Sequence, residues 1–318
     1  MDIPMPAEAP PAETLPLSAT PLSASTVEAS AAEASPIPPL FTLHPETQSA
    51  PVVFASPHSG RLYPAEFVAA SRLQGLSLRR SEDSFVDELF AAAPLHGAPL
   101  VSATFPRAFC DPNREPWELD PAMFEDALPA WVNTGSPRVS AGLGTIARVV
   151  ASGETIYRRK LRFEEAERRV SACWQPYHAE LQALIARTRD RFGACLLIDC
   201  HSMPMQAGSP PHARTADFVL GDAHGTTCSP RLTRLVERTL TAQGYAVRRN
   251  DPYAGGYITR HYGRPRENVH TLQIEVARGL YMDESRIELT GEASALRRNL
   301  DRLIRVVTTE ALALMAPS

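Results

Sequence analysis

The sequence predicts an α/β fold with a mostly parallel or mixed central sheet flanked by helices, and three observations lead there. From about residue 41 onward, short continuous apolar runs alternate with stretches of helical periodicity. The clearest run, Ala194-Cys195-Leu196-Leu197-Ile198-Asp199, is apolar at successive positions, as a strand covered on both faces must be. Histidines stand directly after two of these runs, where open α/β sheets gather their ligands.

Taken in order, residues 1–40 are Ala, Pro, Ser, Thr and Glu with almost no aromatics. Such a segment buries too little apolar surface to offset its ordering entropy, so a disordered tail is expected, followed by one domain over 41–318. Residues 51–56 read as a short buried strand, ended by Pro57 and a Ser59-Gly60 turn. Residues 81–93 carry Phe85, Leu89 and Phe90 at helical spacing with Ser81 as N-cap, and 100–104 read as a strand. Residues 105–150 are rich in Pro, Gly and aromatics and form a long loop, a feature that in a compact domain usually serves function. A mostly helical stretch over 156–192 leads into the strand beginning at Ala194. Strands over 218–221, 247–249 and 272–276, a helix over 230–243 and a closing helix or helix pair over 289–314 complete the pattern.

A net charge of −4 over 318 residues carries none of the basic excess of a nucleic-acid binder. No apolar run reaches the roughly 20 residues that span a bilayer, and the start, Met-Asp-Ile-Pro-Met-Pro, lacks the features of a secretory signal. The five cysteines, Cys110, Cys173, Cys195, Cys200 and Cys228, form no CxxC pair, so reduced buried thiols in a cytoplasmic protein are expected.

His58 follows its strand in "ASPHSG" and His201 follows its strand in "LLIDCHSM". Asp83 or Glu82, in "RRSEDSFVDELF", can add a carboxylate, and two His with one carboxylate leave a catalytic zinc an open position for water. Glu275 lies in "LQIEVARGLY", where an otherwise apolar strand must bury a carboxylate. It serves either as general base or as a partner of Arg278 or a neighbouring Arg. "FPRAFCDPNREP" contributes Arg107, Asp111, Asn113 and Arg114, and "GGYITRHYG" contributes Thr259, Arg260 and His261. Arginine in such segments suits bidentate recognition of a carboxylate, and Gly255 and Gly256 allow close backbone approach. Cys200 and His201, as strand neighbours, face opposite ways and make a poor nucleophilic dyad. His178 and His224 are weaker candidates.

At these motifs the chain resembles the N-formylglutamate amidohydrolases, over essentially all of residues 45–285. The resemblance rests on "SPHSGRLYP", "SEDSFVDEL", "PRAFCDPNR", "YHAEL", "IDCHSM", "DFVLGDAHGTTCSP", "GGYITRHYG" and "LQIEV", in that order. It implies a zinc carboxypeptidase-like fold and one zinc ion held by His58, an acidic residue at Asp83 or Glu82, and His201. Glu275 matches the general base, and Asn113 with Arg114 matches the pair that holds the substrate's carboxylate. Carboxypeptidases place their acidic ligand three residues after the first His, where this chain has Arg61. The implied substrate is a small dicarboxylate, N-formyl-L-glutamate, cut to formate and glutamate as in histidine degradation. Arg107, Thr259 and Arg260 are added as substrate-binding residues. The alternatives are a zinc amidase or carboxypeptidase-like hydrolase acting on another N-acyl amino acid or small peptide, and a non-catalytic binding protein on the same fold.

Overall fold

The computed structural model of the protein describes residues 38–205 and 216–315; the expected tail, up to residue 37, lies outside them. Its centre is a seven-stranded mixed sheet of β1 (Leu40–Leu43), β2 (Val52–Ser56), β3 (Leu100–Ala103), β4 (Cys195–Met203), β5 (Phe218–Gly221), β6 (Val247–Arg249) and β7 (Val269–Ala277). The strands run in the order β1-β3-β2-β4-β7-β5-β6. Pairing is parallel from β3 through β2 and β4 to β7 and between β5 and β6, and antiparallel for β1 on β3 and β5 on β7.

The period of two along each strand sorts side chains into two layers. Val52 and Phe54 of β2, Leu196, Ile198 and Cys200 of β4, and Leu272, Ile274 and Val276 of β7 join one apolar layer. The helices Pro230–Ala242 and Ala293–Met315 cover it. Val53, Ala55, Cys195 and Leu197 face the other way, toward the helix Gln175–Phe192 and residues of the long segment after β3. On that second face the apolar layer stops partway along β4 and β7. Beyond it come Asp199 and His201 on one strand and Gln273 and Glu275 on the other, all buried and paired in register as Asp199 with Gln273 and His201 with Glu275.

Several expectations change. The helix expected over 81–93 shrinks to Val86–Leu89, preceded by Phe85 at φ 67°, with a 3-10 turn at Ala93–His96. Long-range contacts override its periodicity: Asp83 N donates to His58 O at 3.0 Å, and Ser81 Oγ accepts from Ala151 N at 3.0 Å instead of capping a helix. Residues 156–162 are not helical; the helix begins at Phe163 and passes through a π turn at Val170–Trp174 before continuing from Gln175. β4 runs on to Met203, so His201 lies inside the strand rather than after it. The chain closes with one helix, not a pair. Residues 105–150 form the expected long connection, with only short turns at Pro121–Met123 and Pro137–Ser140. No described helix is long and apolar enough to cross a membrane.

The helix Gln175–Phe192 anchors that connection through His178, whose ring nitrogens bond Pro112 O and Tyr262 Oη, each at 2.8 Å. Burial, chiefly, takes its pKa down to about 4. An unfolded His binds its proton near pH 6.5, so the unfolded chain holds more protons between that value and 4. Stability from the neutral ring is therefore present above pH 6.5 and is lost as pH falls toward 4. Urea denaturation should show wild type losing on the order of 2–3 kcal/mol more than H178Q between pH 7 and pH 4. Equal losses in the two proteins would remove His178 as the source.

Candidate active site

β2 ends at Ser56, and two residues later His58 turns into the layer occupied by Asp199, His201, Gln273 and Glu275. Three groups converge there. Asp83 Oδ2 lies 2.9 Å from His201 Nδ1 and 3.4 Å from His58 Nδ1. The two rings meet edge to face, with centroids 4.8 Å apart. One ligand atom from each of the three residues fits within a 4.8 Å span, and all three residues are buried.

Each of the three is held from behind. His58 Nε2–H donates to Asp111 Oδ1 at 2.7 Å, and His201 Nε2–H to Asp199 Oδ1 at 3.0 Å. Those contacts turn both Nδ1 atoms toward Asp83 Oδ2. Asp83 Oδ1 accepts from Arg278 Nη2 at 3.1 Å, and Arg278 also donates to Glu82 O and Ser202 Oγ. Burial acts to raise the Asp83 pKa, but the facing imidazoles of His201 and His58 outweigh it and hold the carboxyl well below its usual range. Asp111 is likewise held low against burial, by Arg107, His58 and Arg114.

A cation fits this arrangement. His58 Nδ1 is a buried nitrogen with no hydrogen-bond partner among the described residues. A tetrahedral zinc with N and O ligands near 2.1 Å needs ligand atoms roughly 3.4 Å apart; His58 and Asp83 stand 3.4 Å apart and His201 and Asp83 2.9 Å. An imidazole ligand whose second nitrogen donates to a carboxylate is the usual outer support of such a site. Glu82, the alternative acid, is committed elsewhere: Arg79 donates twice at 2.9 Å, Tyr63 Oη at 2.7 Å and Ser84 Oγ at 2.8 Å. Arg61 turns outward to Asp87 and Glu88.

Glu275 stands beside His201 in the sheet and accepts from Gln273 Nε2 at 2.8 Å through Oε1. Burial first, then the charges of Asp83 and Asp199, push its pKa up to about 7 against the pull of His201 and Arg107. Its expected alternative partner, Arg278, is engaged with Asp83.

These groups open into a cavity of about 570 Å³. Arg107, Asn113, Arg114 and Arg260 all line it. Arg107 donates to Asp111 Oδ2 at 2.7 Å. Arg114 is buried, donates to Leu143 O and Asn113 O, and has its pKa lowered to about 10, mainly by burial. Asn113 Oδ1 accepts from Ile258 N at 2.8 Å. The side chain of Asn113 fills the space where a Cβ on Gly256 would stand, with Nδ2 2.4 Å from that position, so glycine is required there. Thr259 does not line the cavity; it is buried behind Asp199 and donates to its Oδ2 at 3.3 Å. His261 stacks on Tyr257, away from the cavity, and His178 and His224 stand outside it as well. All five cysteines are free and buried, and burial raises the Cys200 pKa well above the usual value.

Sequence reasoning missed Asp199 and Gln273, which share the buried face with His201 and Glu275, and Arg138, which lines the cavity. Asp199 and Gln273 had a signal: each stands two positions before a singled-out residue, His201 and Glu275, and so on the same strand face. Arg138 had none, standing in a loop without periodicity.

The chain is similar to known proteins over most of its length. The family model for N-formylglutamate amidohydrolase matches residues 50–282. N-formylglutamate deformylase of Pseudomonas aeruginosa is 31% identical over 266 residues, covering 82% of this chain and 91% of that protein. The enzyme of the same name from Pseudomonas putida is 31% identical over 240 residues, covering 74% and 83%. The crystal structure of N-formylglutamate amidohydrolase from Ralstonia eutropha superposes with a TM-score of 0.81 at 40% identity, covering 88% of this chain and all of that one. A fold, a buried cluster and an extent of similarity that all agree make this chain a member of the N-formylglutamate amidohydrolase family.

Proposed function

We propose that the protein is a zinc-dependent deformylase that hydrolyses N-formyl-L-glutamate to formate and L-glutamate, the reaction used in histidine degradation. The observation that carries this reading is Glu275, a carboxylate poised near neutrality beside the His58, Asp83 and His201 cluster in an arginine-lined cavity. His58, Asp83 and His201 would hold one zinc ion, which when bound supplies Lewis acidity at the formyl oxygen and a lowered pKa for water. Buried reduced cysteines suit a cytoplasmic enzyme.

Glu275 acts twice. Gln273 occupies its Oε1, so Oε2 is the free atom that takes a proton from the attacking water. The water oxygen bonds to the formyl carbon, the C–N bond breaks, and Glu275 returns the proton to the departing amine nitrogen. A pKa near 7 serves both halves, because the group is neither too weak a base nor too weak an acid at neutral pH. Arg107, Arg114 and Arg260 draw the anionic substrate in by charge, and Asn113 with Arg114 fixes it against the cluster. Thr259 supports Asp199, and through it His201, rather than touching substrate.

Purified wild type should release formate from N-formyl-L-glutamate, lose that activity on chelation and regain it with zinc. E275Q should retain zinc and lose roughly 10²- to 10⁴-fold in kcat. Zinc-loaded wild type that releases no formate would overturn the substrate, and an active E275Q would overturn the role of Glu275. Arg278 fixes Asp83 through its outer oxygen, so R278Q should bind zinc roughly 10- to 100-fold more weakly than wild type. Competition with a chromophoric chelator measures this directly, and equal affinity would show that Asp83 holds its orientation without Arg278.

A further inference from the structure

Five arginines line the cavity: Arg107, Arg114, Arg138, Arg260 and Arg278. Three are already engaged. Arg107 bonds Asp111, Arg114 bonds Leu143 O and Asn113 O, and Arg278 bonds Asp83. The side chains of Arg138 and Arg260 make no hydrogen bond or ion pair among the described residues, so their guanidinium groups are available to an anion.

The backbone beneath Arg138 is built rather than slack. Ser136 Oγ accepts from Val139 N at 3.1 Å at the start of the turn Pro137–Ser140, and Val139 is buried. Leu143 N donates to Arg138 O at 2.8 Å, and Leu143 O accepts from Arg114 Nε at 2.8 Å. The turn that carries Arg138 is thus tied directly to Arg114, which is tied through Asn113 to the neighbourhood of His201. Hydrogen bonds thus run from His201 through Asn113, Arg114 and Leu143 to the backbone of Arg138. Arg260 comes from a different element, the helix Tyr257–Tyr262.

The chemistry of the substrate maps onto that order. In an N-formyl dicarboxylic amino acid, the carbon bearing the scissile nitrogen also bears the first carboxylate, so that group must lie close to the cluster. The second carboxylate is two methylenes farther out, and its desolvation needs a cationic partner. Building on the deformylase reading, we infer that Arg138 receives the side-chain carboxylate of the substrate and so selects a dicarboxylate over a neutral N-formyl amino acid.

The test compares kcat/KM for N-formyl-L-glutamate and N-formyl-L-glutamine, which differ only in that carboxylate, in zinc-loaded wild type, R138Q and R260Q. The glutamate-to-glutamine ratio should fall roughly 10- to 100-fold in R138Q, the range for loss of a charge-assisted pair, and by less in R260Q. R138E should shift preference toward N-formyl-L-ornithine, whose side chain is cationic. An unchanged ratio in R138Q, or a larger fall in R260Q, would overturn the assignment. Melting curves matching wild type would exclude misfolding as the cause. Wild type that releases no formate would defeat the deformylase reading itself, and calorimetry of glutarate against butyrate on zinc-loaded wild type and R138Q then decides on Arg138. A glutarate preference lost in R138Q supports it; no preference in wild type, or one retained in R138Q, overturns it.

Discussion

The parallel pairing of β4 with β7 in a single register is the constraint on which the site depends. It sets His201 beside Glu275 and Asp199 beside Gln273. Alternate residues on both strands belong to the apolar layer under the two C-terminal helices, so the register is enforced by burial on the opposite face. A slip of one residue would turn Ile274 toward the cavity and Glu275 into that layer. The apolar contacts of Leu196, Ile198, Leu272 and Ile274 on one face therefore fix where Asp199, His201, Gln273 and Glu275 stand on the other.

Concentrating charge is the second constraint. Asp83, Asp111, Asp199 and Glu275 are all buried within one site, and uncompensated carboxylates at that depth are strongly destabilising. Arg278 and the two imidazoles answer Asp83, Arg107 and His58 answer Asp111, and His201 with Thr259 answers Asp199. Glu275 is bonded by a neutral amide instead of a cation. That difference in partner is the physical reason it stays near neutrality while Asp83 and Asp111 remain ionised. Asp83 and Asp111 are thus hydrogen-bonded by arginines, and Glu275 is not.

The arginines divide in a similar way. Arg107, Arg114 and Arg278 spend their donors on the protein and shape the inner wall. Arg138 and Arg260 line the same cavity and make no side-chain hydrogen bond or ion pair among the described residues. The long connection after β3 makes this possible. Gly256 lies against Asn113 so closely that no larger residue would allow the two segments to meet.

Much of this was determined by the sequence alone, because it is written in short windows. Continuous apolar runs with helical stretches between them specify an α/β sheet covered on both faces. Histidines directly after or within apolar runs and a glutamate inside another stand out locally, which is why His58, His201 and Glu275 can be singled out without any structure, although His201 proves to lie inside β4. Tertiary structure decided the rest. Glu82 and Asp83 are adjacent carboxylates with nearly the same local signal, and only contacts with Arg79 and Tyr63 on one side and His201 and Arg278 on the other separate them. The periodicity of residues 81–93 favours a helix, yet the bond from Asp83 N to His58 O draws the start of that segment into the site. Arg138 carries no pattern at all, and its place beside Arg114 is set by Leu143. Propensity and periodicity act over a few neighbouring residues, whereas the partner of a buried charge is chosen by whatever the folded chain brings within about 3 Å of it.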